Sequence, residues 1–243
     1  MLIEGKNSIL EALEAGKSID KLYVLKGYTD LSVQKIIDGA REKRAKIQFM
    51  DKASLDRLGG KKHQNVIAEI SDFQYYTLED IINTAREKGE KLLMIILNEL
   101  TDPNNLGNIM RTAEAAGAHG IIIPKNRSVS VTDTVIRVSS GAAYHIKVAR
   151  VNNINDTIRK LKDMFISVFS ADMSGESVYG VSLSDDTAVI IGGEGKGVKP
   201  LTLKLSDKAI SIPMYGRINS LNASQAAAVI MYEAVRQRRN ERK

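Results

Sequence analysis

Hydrophobic positions in the first part of the chain alternate between the spacing of helices and that of strands. Apolar residues at helical spacing, such as Ile9 and Leu13, are followed by short apolar runs of strand length. Strands are predicted at residues 21–25, 47–50 and 66–70, with a helix before each of the first two. Residues 1–72 are therefore expected to form a small α/β domain.

The remainder of the chain begins with a polar stretch and then repeats a strand followed by a helix or loop. The polar stretch, residues 73–90, contains one short predicted helix and is interpreted as a linker. Strands are predicted at residues 92–97, 120–123, 165–170, 188–191 and 209–212. This alternation is typical of a parallel sheet covered by helices, so residues 91–243 are expected to form a second α/β domain.

The first candidate segment for chemistry is Asp102–Ala113, which follows the strand at 92–97. Asn104 or Asn105 is the expected N-cap of a helix that ends at Gly117. On the helical wheel Arg111 projects away from the apolar face. It is either a solvated arginine or a guanidinium that holds a phosphate or ribose together with the nearby amide side chains.

The second segment, Gly192–Gly197, ends a predicted strand in a loop with four glycines, which let the backbone approach a ligand closely. A Walker A loop needs Ser or Thr after Gly-Lys, and Gly197 stands there instead. A dinucleotide-binding loop is expected in the first strand–helix unit of a domain, and this loop comes late. The first loop of the second domain, residues 99–105, contains no glycine, and this absence also disfavours an ordinary Rossmann-type methyltransferase.

The third segment runs from the strand end at Ile212-Pro213 to Ser220-Leu221-Asn222, which precedes a long predicted helix. Ser220 and Asn222 are first of all capping residues, but a capped helix start also directs N–H donors at whatever occupies the loop. All three segments begin where an apolar run ends. Since open α/β sheets bind ligands at the carboxyl ends of their strands, the chemistry is expected in the second half of the chain.

Composition narrows the class of protein. The 243 residues include no cysteine, which excludes disulfides and thiolate metal sites and fits a reducing cytoplasm. The three histidines, His63, His119 and His145, lie far apart in sequence, so no metal site is expected. The longest aliphatic run, residues 92–97, is too short to cross a membrane, and the first residues lack an apolar signal region. We expect a cytoplasmic protein.

The net charge of +6 fits a polyanionic partner, although it also fits a basic surface that maintains solubility. Residues 236–243 carry five bases and one acid, and they are expected to form a frayed basic helix end near the partner. Residues 59–65 form a second basic cluster, interpreted as a loop that either contacts phosphate or is a solvated turn.

The three segments together resemble the motifs of the SPOUT-class, SpoU/TrmH-type RNA 2′-O-ribose methyltransferases. The residues that carry this resemblance are Asn105 with Arg111 six positions later, Glu194 in its glycine loop, and Ser220-Leu221-Asn222 after Ile-Pro-Met. The resemblance extends over nearly the whole chain, including an N-terminal part that looks like the family's ribosomal-protein-like RNA-binding domain. The most similar subgroup methylates a guanosine ribose of 23S rRNA.

The resemblance implies a C-terminal SPOUT domain with a trefoil knot, a homodimer, and S-adenosylmethionine as the cofactor. It implies that Gly192, Ile212 and Leu221 hold the cofactor largely through backbone contacts, together with Gly193 and Met214. It places Arg111, Asn105, Glu194, Ser220 and Asn222 in the catalytic region. One departure is His63-Gln64-Asn65, where relatives usually have His-Gln-Gly. Because Asn tolerates a left-handed backbone, the turn is expected to persist there.

The mechanism implied by the resemblance needs no metal, since the sulfonium methyl is already electrophilic. Arg111 would act as the base with help from a substrate phosphate, or would bind the phosphate and stabilise developing negative charge while the proton leaves by another route. Three other functions stay open: a tRNA ribose methyltransferase, a non-catalytic RNA-binding ribosome-assembly factor, and a SPOUT base methyltransferase. The Ser220-Leu221-Asn222 helix start disfavours the last.

Overall fold

The computed structural model describes residues 2–14, 16–59, 63–71, 73–193 and 197–241. The chain divides into two compact units, Met1–Gln74 and Tyr75–Lys243. Two bases of the predicted basic loop, Lys61 and Lys62, and the predicted catalytic residue Glu194 lie outside the described residues.

The first unit is a four-stranded sheet with helices, which confirms the α/β fold predicted for this part of the chain. Its elements are β1 (Leu2–Glu4), α1 (Lys6–Glu14), β2 (Ser18–Leu25), α2 (Leu31–Glu42), β3 (Lys46–Met50), α3 (Lys52–Gly59) and β4 (Val66–Ser71). The strand order is β1-β4-β2-β3, with β2 and β3 parallel and β4 antiparallel to both of its neighbours. The sequence pattern missed β1, because a strand of three residues is too short to show an alternation.

The turn before β4 keeps the left-handed backbone that was expected where relatives have glycine. Asn65 has a φ of 68° and Gln64 a φ of 50°. The buried His63 ring stabilises the turn, since its Nδ1 accepts a hydrogen bond from the Asn65 backbone N–H at 3.0 Å and its Nε2 lies 2.7 Å from Asp56. The turn therefore persists with Asn in place of Gly.

The second unit begins with a segment that the sequence pattern assigned to the linker. The Tyr76 backbone N–H donates to the Val148 carbonyl at 2.9 Å, and the Tyr75 hydroxyl accepts from the Val131 N–H at 2.8 Å. The next element is α4 (Leu78–Lys88), which starts with a capping box between Thr77 and Asp80. Its apolar face is buried against the second sheet, so this helix is part of the second unit's core.

A six-stranded sheet forms the centre of the second unit. After α4 the elements are β5 (Leu93–Asn98), α5 (Pro103–Ala115), β6 (Gly120–Pro124), α6 (Asp133–Val138), β7 (Lys147–Val151), α7 (Ile154–Asp163), β8 (Ser167–Ser177), β9 (Thr187–Gly192), α8 (Pro200–Leu205), β10 (Lys208–Ser211) and α9 (Ala223–Glu241). The strand order is β10-β8-β9-β5-β6-β7, and every neighbouring pair is parallel. The predicted parallel sheet is confirmed.

Burial explains which strands the sequence pattern found. All six residues of β5 are buried, because helices cover both faces of the sheet, and its apolar run is continuous. The pattern missed β7, whose apolar run is interrupted by the buried Arg150. It also placed the start of β8 two residues early, since Phe165 has a φ of 60° and is 94% exposed.

The basic end of α9 differs from the expected frayed helix. Arg238 donates to the backbone carbonyls of Lys91, Leu92, Leu183 and Asp185 at 2.7–3.1 Å. Arg236 forms a two-pronged ion pair with the buried carboxylate of Glu233 at 2.8 Å. Arg238 therefore fastens α9 to the amino-terminal edge of the sheet, and Arg236 stabilises the helix itself. Both guanidinium groups have a structural role. No helix among the described residues is long and apolar enough to cross a membrane.

His119 is a buried titratable group in the same region. Its Nδ1 accepts a hydrogen bond from the Leu93 N–H at 3.1 Å, and its Nε2 lies 3.2 Å from Glu90. Burial lowers the pKa of His119, and the hydrogen bond to Glu90 offsets this only in part. Since Nδ1 is an acceptor, protonation of the ring would break the bond from Leu93.

We expect the free energy of unfolding to decrease as the pH is lowered from about 7.5 to about 5.5. In this range His119 of the unfolded chain binds a proton, whereas His119 of the native protein, with its lowered pKa, resists protonation. Urea unfolding across this range should show a smaller fall for His119→Asn than for the wild type. His145, which is exposed, supplies the control, and His145→Asn should keep the wild-type slope. Equal slopes for wild type and His119→Asn would contradict this assignment.

Candidate active site

The loops that follow β5 and β9 meet at the carboxyl-terminal edge of the second sheet. Asn98 pairs with Gly192 in the parallel register, and the Gly193 N–H donates to the Asn98 carbonyl at 2.9 Å. A Cβ atom at Gly193 would overlap the backbone carbonyl of Glu99, and one at Gly192 would overlap the backbone of Gly197. These two glycines therefore allow an approach of backbones that no other residue would permit.

An ion cluster around Glu99 ties three of the loops at this edge together. The Glu99 carboxylate lies 2.6 Å from Lys199 Nζ, after β9, and 3.5 Å from the guanidinium of Arg127, after β6. The hydrogen bond from Lys199 is the main cause that lowers the pKa of Glu99, with a smaller contribution from Arg127. Glu99 itself has a φ of 61°, a left-handed conformation unusual for this residue type.

A cavity of about 440 Å³ opens at the same edge. The loops after β8, β9 and β10 and the first turns of α9 form its walls. It is lined by Ala171, Asp172, Met173, Ile191, Gly192, Gly193, Gly197, Ile210, Ser211, Ile212, Met214, Asn219, Ser220, Leu221, Asn222, Ala223, Ala226 and Ile230. All five residues predicted to bind the cofactor are in this set, and so are two of the predicted catalytic residues, Ser220 and Asn222.

The start of α9 places the third motif at the cavity. Asn222 is the N-cap, since its Oδ1 accepts from the Ser224 backbone N–H at 2.8 Å and from Ser224 Oγ at 2.6 Å. Its carbonyl accepts the first helical hydrogen bond, from Ala226 at 2.9 Å. The predicted capping role is thus confirmed for Asn222, whereas Ser220 lies exposed in the preceding loop.

The start of α5 differs from the prediction. The N-cap is Asp102, whose side chain accepts from the Asn104 N–H at 3.0 Å, and not Asn104 or Asn105. Pro103 occupies the first helical position, where its fixed φ suits a helix and its missing N–H leaves nothing unsatisfied. The helix ends as predicted, with Gly117 in a left-handed conformation at a φ of 70°.

The two predicted catalytic residues of α5 occupy different environments. Arg111 is exposed on the face that also carries Asn104 and Asn108, as the helical wheel predicts. Its side chain forms no hydrogen bond or ion pair with any residue that the structure describes. Asn105 is only 5% exposed and lies on the buried side. Neither residue is among those that line the cavity.

The lining chemistry of the cavity fits S-adenosylmethionine. Isoleucine and leucine side chains offer an apolar wall for a flat heteroaromatic ring, and the glycine backbones, Asn219, Ser220 and Asn222 offer polar groups for a ribose and an amino acid. The volume is in the range typical of small-molecule sites. Within the described residues, no cluster of three or more His, Asp or Glu side chains could hold a metal ion.

Sequence reasoning missed two groups at this edge. Asp172 lines the cavity, but the predicted strand ended at Ser170 and gave no reason to consider the next polar residue. Asn98 is 4% exposed, and its Nδ2 has no hydrogen-bond partner among the described residues. The available signal was a polar residue directly after an apolar strand, as at the three motifs.

Comparison with known proteins places these features in a family. Residues 92–232 match the model of the SpoU rRNA methylase family, and residues 2–76 match the model for RNA 2′-O ribose methyltransferase substrate binding. The chain belongs to the SpoU/TrmH family of RNA methyltransferases. The resemblance noted from the three motifs is confirmed.

Individual relatives of this SpoU/TrmH protein cover nearly its whole length. A protein of Bacillus subtilis (strain 168), named for the TrmH family of tRNA/rRNA methyltransferases, is 40% identical over 96% of this chain and 94% of its own. The SpoU methyltransferase AviRb from Streptomyces viridochromogenes, solved in complex with AdoMet, is 27% identical with a TM-score of 0.62, covering 99% of this chain and 91% of its own. S-adenosylmethionine is the cofactor of the family, as predicted.

A third likeness supports the fold alone. The AdoMet-bound rRNA methyltransferase from Sinorhizobium meliloti is 24% identical, with a TM-score of 0.61 over 97% of this chain and 86% of its own. The α/β architecture with a C-terminal parallel-sheet domain is therefore that of SpoU/TrmH methyltransferases.

Gly193→Ala tests the close approach of the two loops. Because the added Cβ would force Glu99 and the β9 loop apart, we expect the free energy of unfolding to fall by about 2 kcal/mol and S-adenosylmethionine binding to weaken. Urea unfolding and calorimetric titration measure the two effects. The matched control is Gly216→Ala, since nothing lies within 4 Å of a Cβ there. Indistinguishable stabilities for the two variants would refute the steric argument.

Proposed function

We propose that this protein transfers the methyl group of S-adenosylmethionine to a ribose 2′-hydroxyl of RNA, and that the substrate is a guanosine of 23S rRNA. The observation that carries the proposal is the cavity at the carboxyl edge of the sheet. There the glycine loop after β9, the loop after β10 and the start of α9 converge.

The cofactor would occupy this cavity. Gly192, Ile212 and Leu221 would hold it mainly through backbone groups, with Gly193 and Met214 completing the walls. Bound there, the cofactor supplies an electrophilic methyl group. The task left to the protein is to align a weakly acidic ribose hydroxyl with that methyl and to help remove its proton.

Arg111 is the candidate for the group that contacts the RNA substrate and assists the reaction. Its exposure and its lack of a described partner leave the guanidinium available to an RNA phosphate, which it can contact through two parallel hydrogen bonds. Arginine stays protonated in proteins, which favours stabilisation of developing negative charge over direct proton abstraction. The alternative, a base assisted by the substrate phosphate, stays open.

The other motif residues would position the reactants. Asn105 is buried in α5, which suits it to holding the helix and not to contacting RNA. Ser220 and Asn222 line the cavity, where Asn222 fixes the start of α9. Glu194, which lies outside the described residues, is proposed as a positioning residue on the strength of the motif alone.

The rRNA assignment rests on the first unit and on charge. Residues 2–76 match a substrate-binding model for RNA 2′-O ribose methyltransferases, and the net charge is +6. The names of the relatives mention both tRNA and rRNA, so a tRNA ribose is the second candidate substrate. A homodimer and a trefoil knot in the C-terminal domain belong to the proposal as well, both from the family resemblance.

The proposal is tested by transfer of labelled methyl from S-adenosylmethionine to rRNA and tRNA that lack modifications, followed by digestion to nucleosides. Label in 2′-O-methylguanosine from 23S rRNA is the expected result. Label in a tRNA nucleoside would move the substrate assignment to tRNA. Label in a base would indicate a base methyltransferase, and no transfer together with no cofactor binding would indicate a non-catalytic RNA-binding factor.

Replacement of Arg111 by lysine separates its specific roles from a general positive charge. We expect kcat to fall about a hundredfold, because a lysine cannot form the paired hydrogen bonds of a guanidinium with a phosphate. Arg159→Lys, an equivalent change on the exposed face of α7, is the control and should keep wild-type turnover. Wild-type activity of Arg111→Lys with an unchanged pH–rate profile would rule out both roles proposed for the arginine.

A further inference from the structure

Asp172 is the one charged side chain among the described residues that line the cavity. It lies on β8 beyond the last residue that pairs with β9, at the edge of the sheet where Gly192 and Gly193 also lie. None of the motifs includes it.

The carboxylate of Asp172 is fixed in orientation. Its Oδ1 accepts hydrogen bonds from the Ser174 backbone N–H at 2.9 Å and from Ser174 Oγ at 2.6 Å. These bonds occupy one oxygen and leave Oδ2 without a described donor. Asp172 forms no ion pair with any described residue, so its negative charge is not neutralised within that part of the chain.

An uncompensated carboxylate at a small-molecule cavity favours a cationic ligand. S-adenosylmethionine carries a positive sulfonium, whereas the product S-adenosylhomocysteine has a neutral sulfur in the same place. The two molecules are otherwise alike in the adenosine and amino-acid parts. A fixed negative charge near the sulfur would therefore attract the substrate form of the cofactor more strongly than the spent form.

We propose that Asp172 is a specificity-determining residue that makes the cavity prefer the positively charged cofactor over its neutral product. This inference rests on the proposed function, because it requires the cofactor to occupy this cavity. As a consequence, the site binds S-adenosylhomocysteine more weakly than S-adenosylmethionine, because methyl transfer removes the sulfonium charge.

Asp172→Asn isolates the charge. The asparagine Oδ1 can still accept both hydrogen bonds from Ser174, so the local turn should be kept. Titration calorimetry of the full chain with each ligand should show S-adenosylmethionine binding about fivefold more weakly and S-adenosylhomocysteine binding unchanged, as expected for a partly exposed charge pair. Glu176→Gln is the matched control, since it removes the same charge from the same strand but does not line the cavity.

A second measurement compares how salt affects the binding of the two ligands. Raising the salt concentration should weaken binding of S-adenosylmethionine more than binding of S-adenosylhomocysteine, and the difference should disappear in Asp172→Asn. The wild-type part of this readout does not depend on the stability of the variant.

The outcomes separate this inference from the proposed function. Equal weakening of both ligands in Asp172→Asn would overturn it, because the carboxylate would then contact a part that the ligands share. Unchanged affinity for both would overturn it as well. If the wild type binds neither ligand, the proposed function fails and this inference fails with it.

Discussion

The close approach of the β5 and β9 backbones at the carboxyl edge of the second sheet is the constraint on which the site depends. These strands are neighbours at the centre of the sheet although they are far apart in sequence. Gly193 donates to the Asn98 carbonyl, and its missing side chain leaves room for the carbonyl of Glu99. Any larger residue would separate the two loops and alter the walls of the cavity beside them.

Charge is distributed unevenly around this edge. The negative charge of Glu99 is neutralised by ion pairs with Lys199 and Arg127, which join the loops. These ion pairs lower the pKa of Glu99. Asp172 is left facing the cavity, and Arg111 is left on the exposed face of α5. A cationic cofactor and an anionic RNA require this separation, since a single patch of either sign would repel one of the two reactants.

The groups proposed for the reaction lie in rigid elements or in the loops directly attached to them. The residues proposed to bind the cofactor lie at the end of β9, in the loops that follow β9 and β10, and just before a helix start that Asn222 caps, whereas Arg111 lies within α5. Methyl transfer depends on alignment of oxygen, carbon and sulfur, and groups on strands and helices hold such an alignment better than groups on free loops. Arg238, which binds four backbone carbonyls at the opposite edge, helps to hold α9 in place for the same purpose.

The sequence by itself determined the α/β class, most of the strands and helices, the three motif segments and the family. Each of these can be recognised from local periodicity or from short runs of residue types. It also predicted the exposure of Arg111 from the helical wheel. Its errors were local as well: Pro103 moved the N-cap of α5 to Asp102, and Arg150 concealed β7.

Only the tertiary structure decided which segments lie side by side. The strand order that brings Asn98 to Gly192, the packing of α4 on the second sheet, the carbonyl contacts of Arg238 and the place of Asp172 at the cavity all join residues distant in the chain. Contacts of this kind depend on how whole helices and strands pack against one another, so no local sequence pattern predicts them.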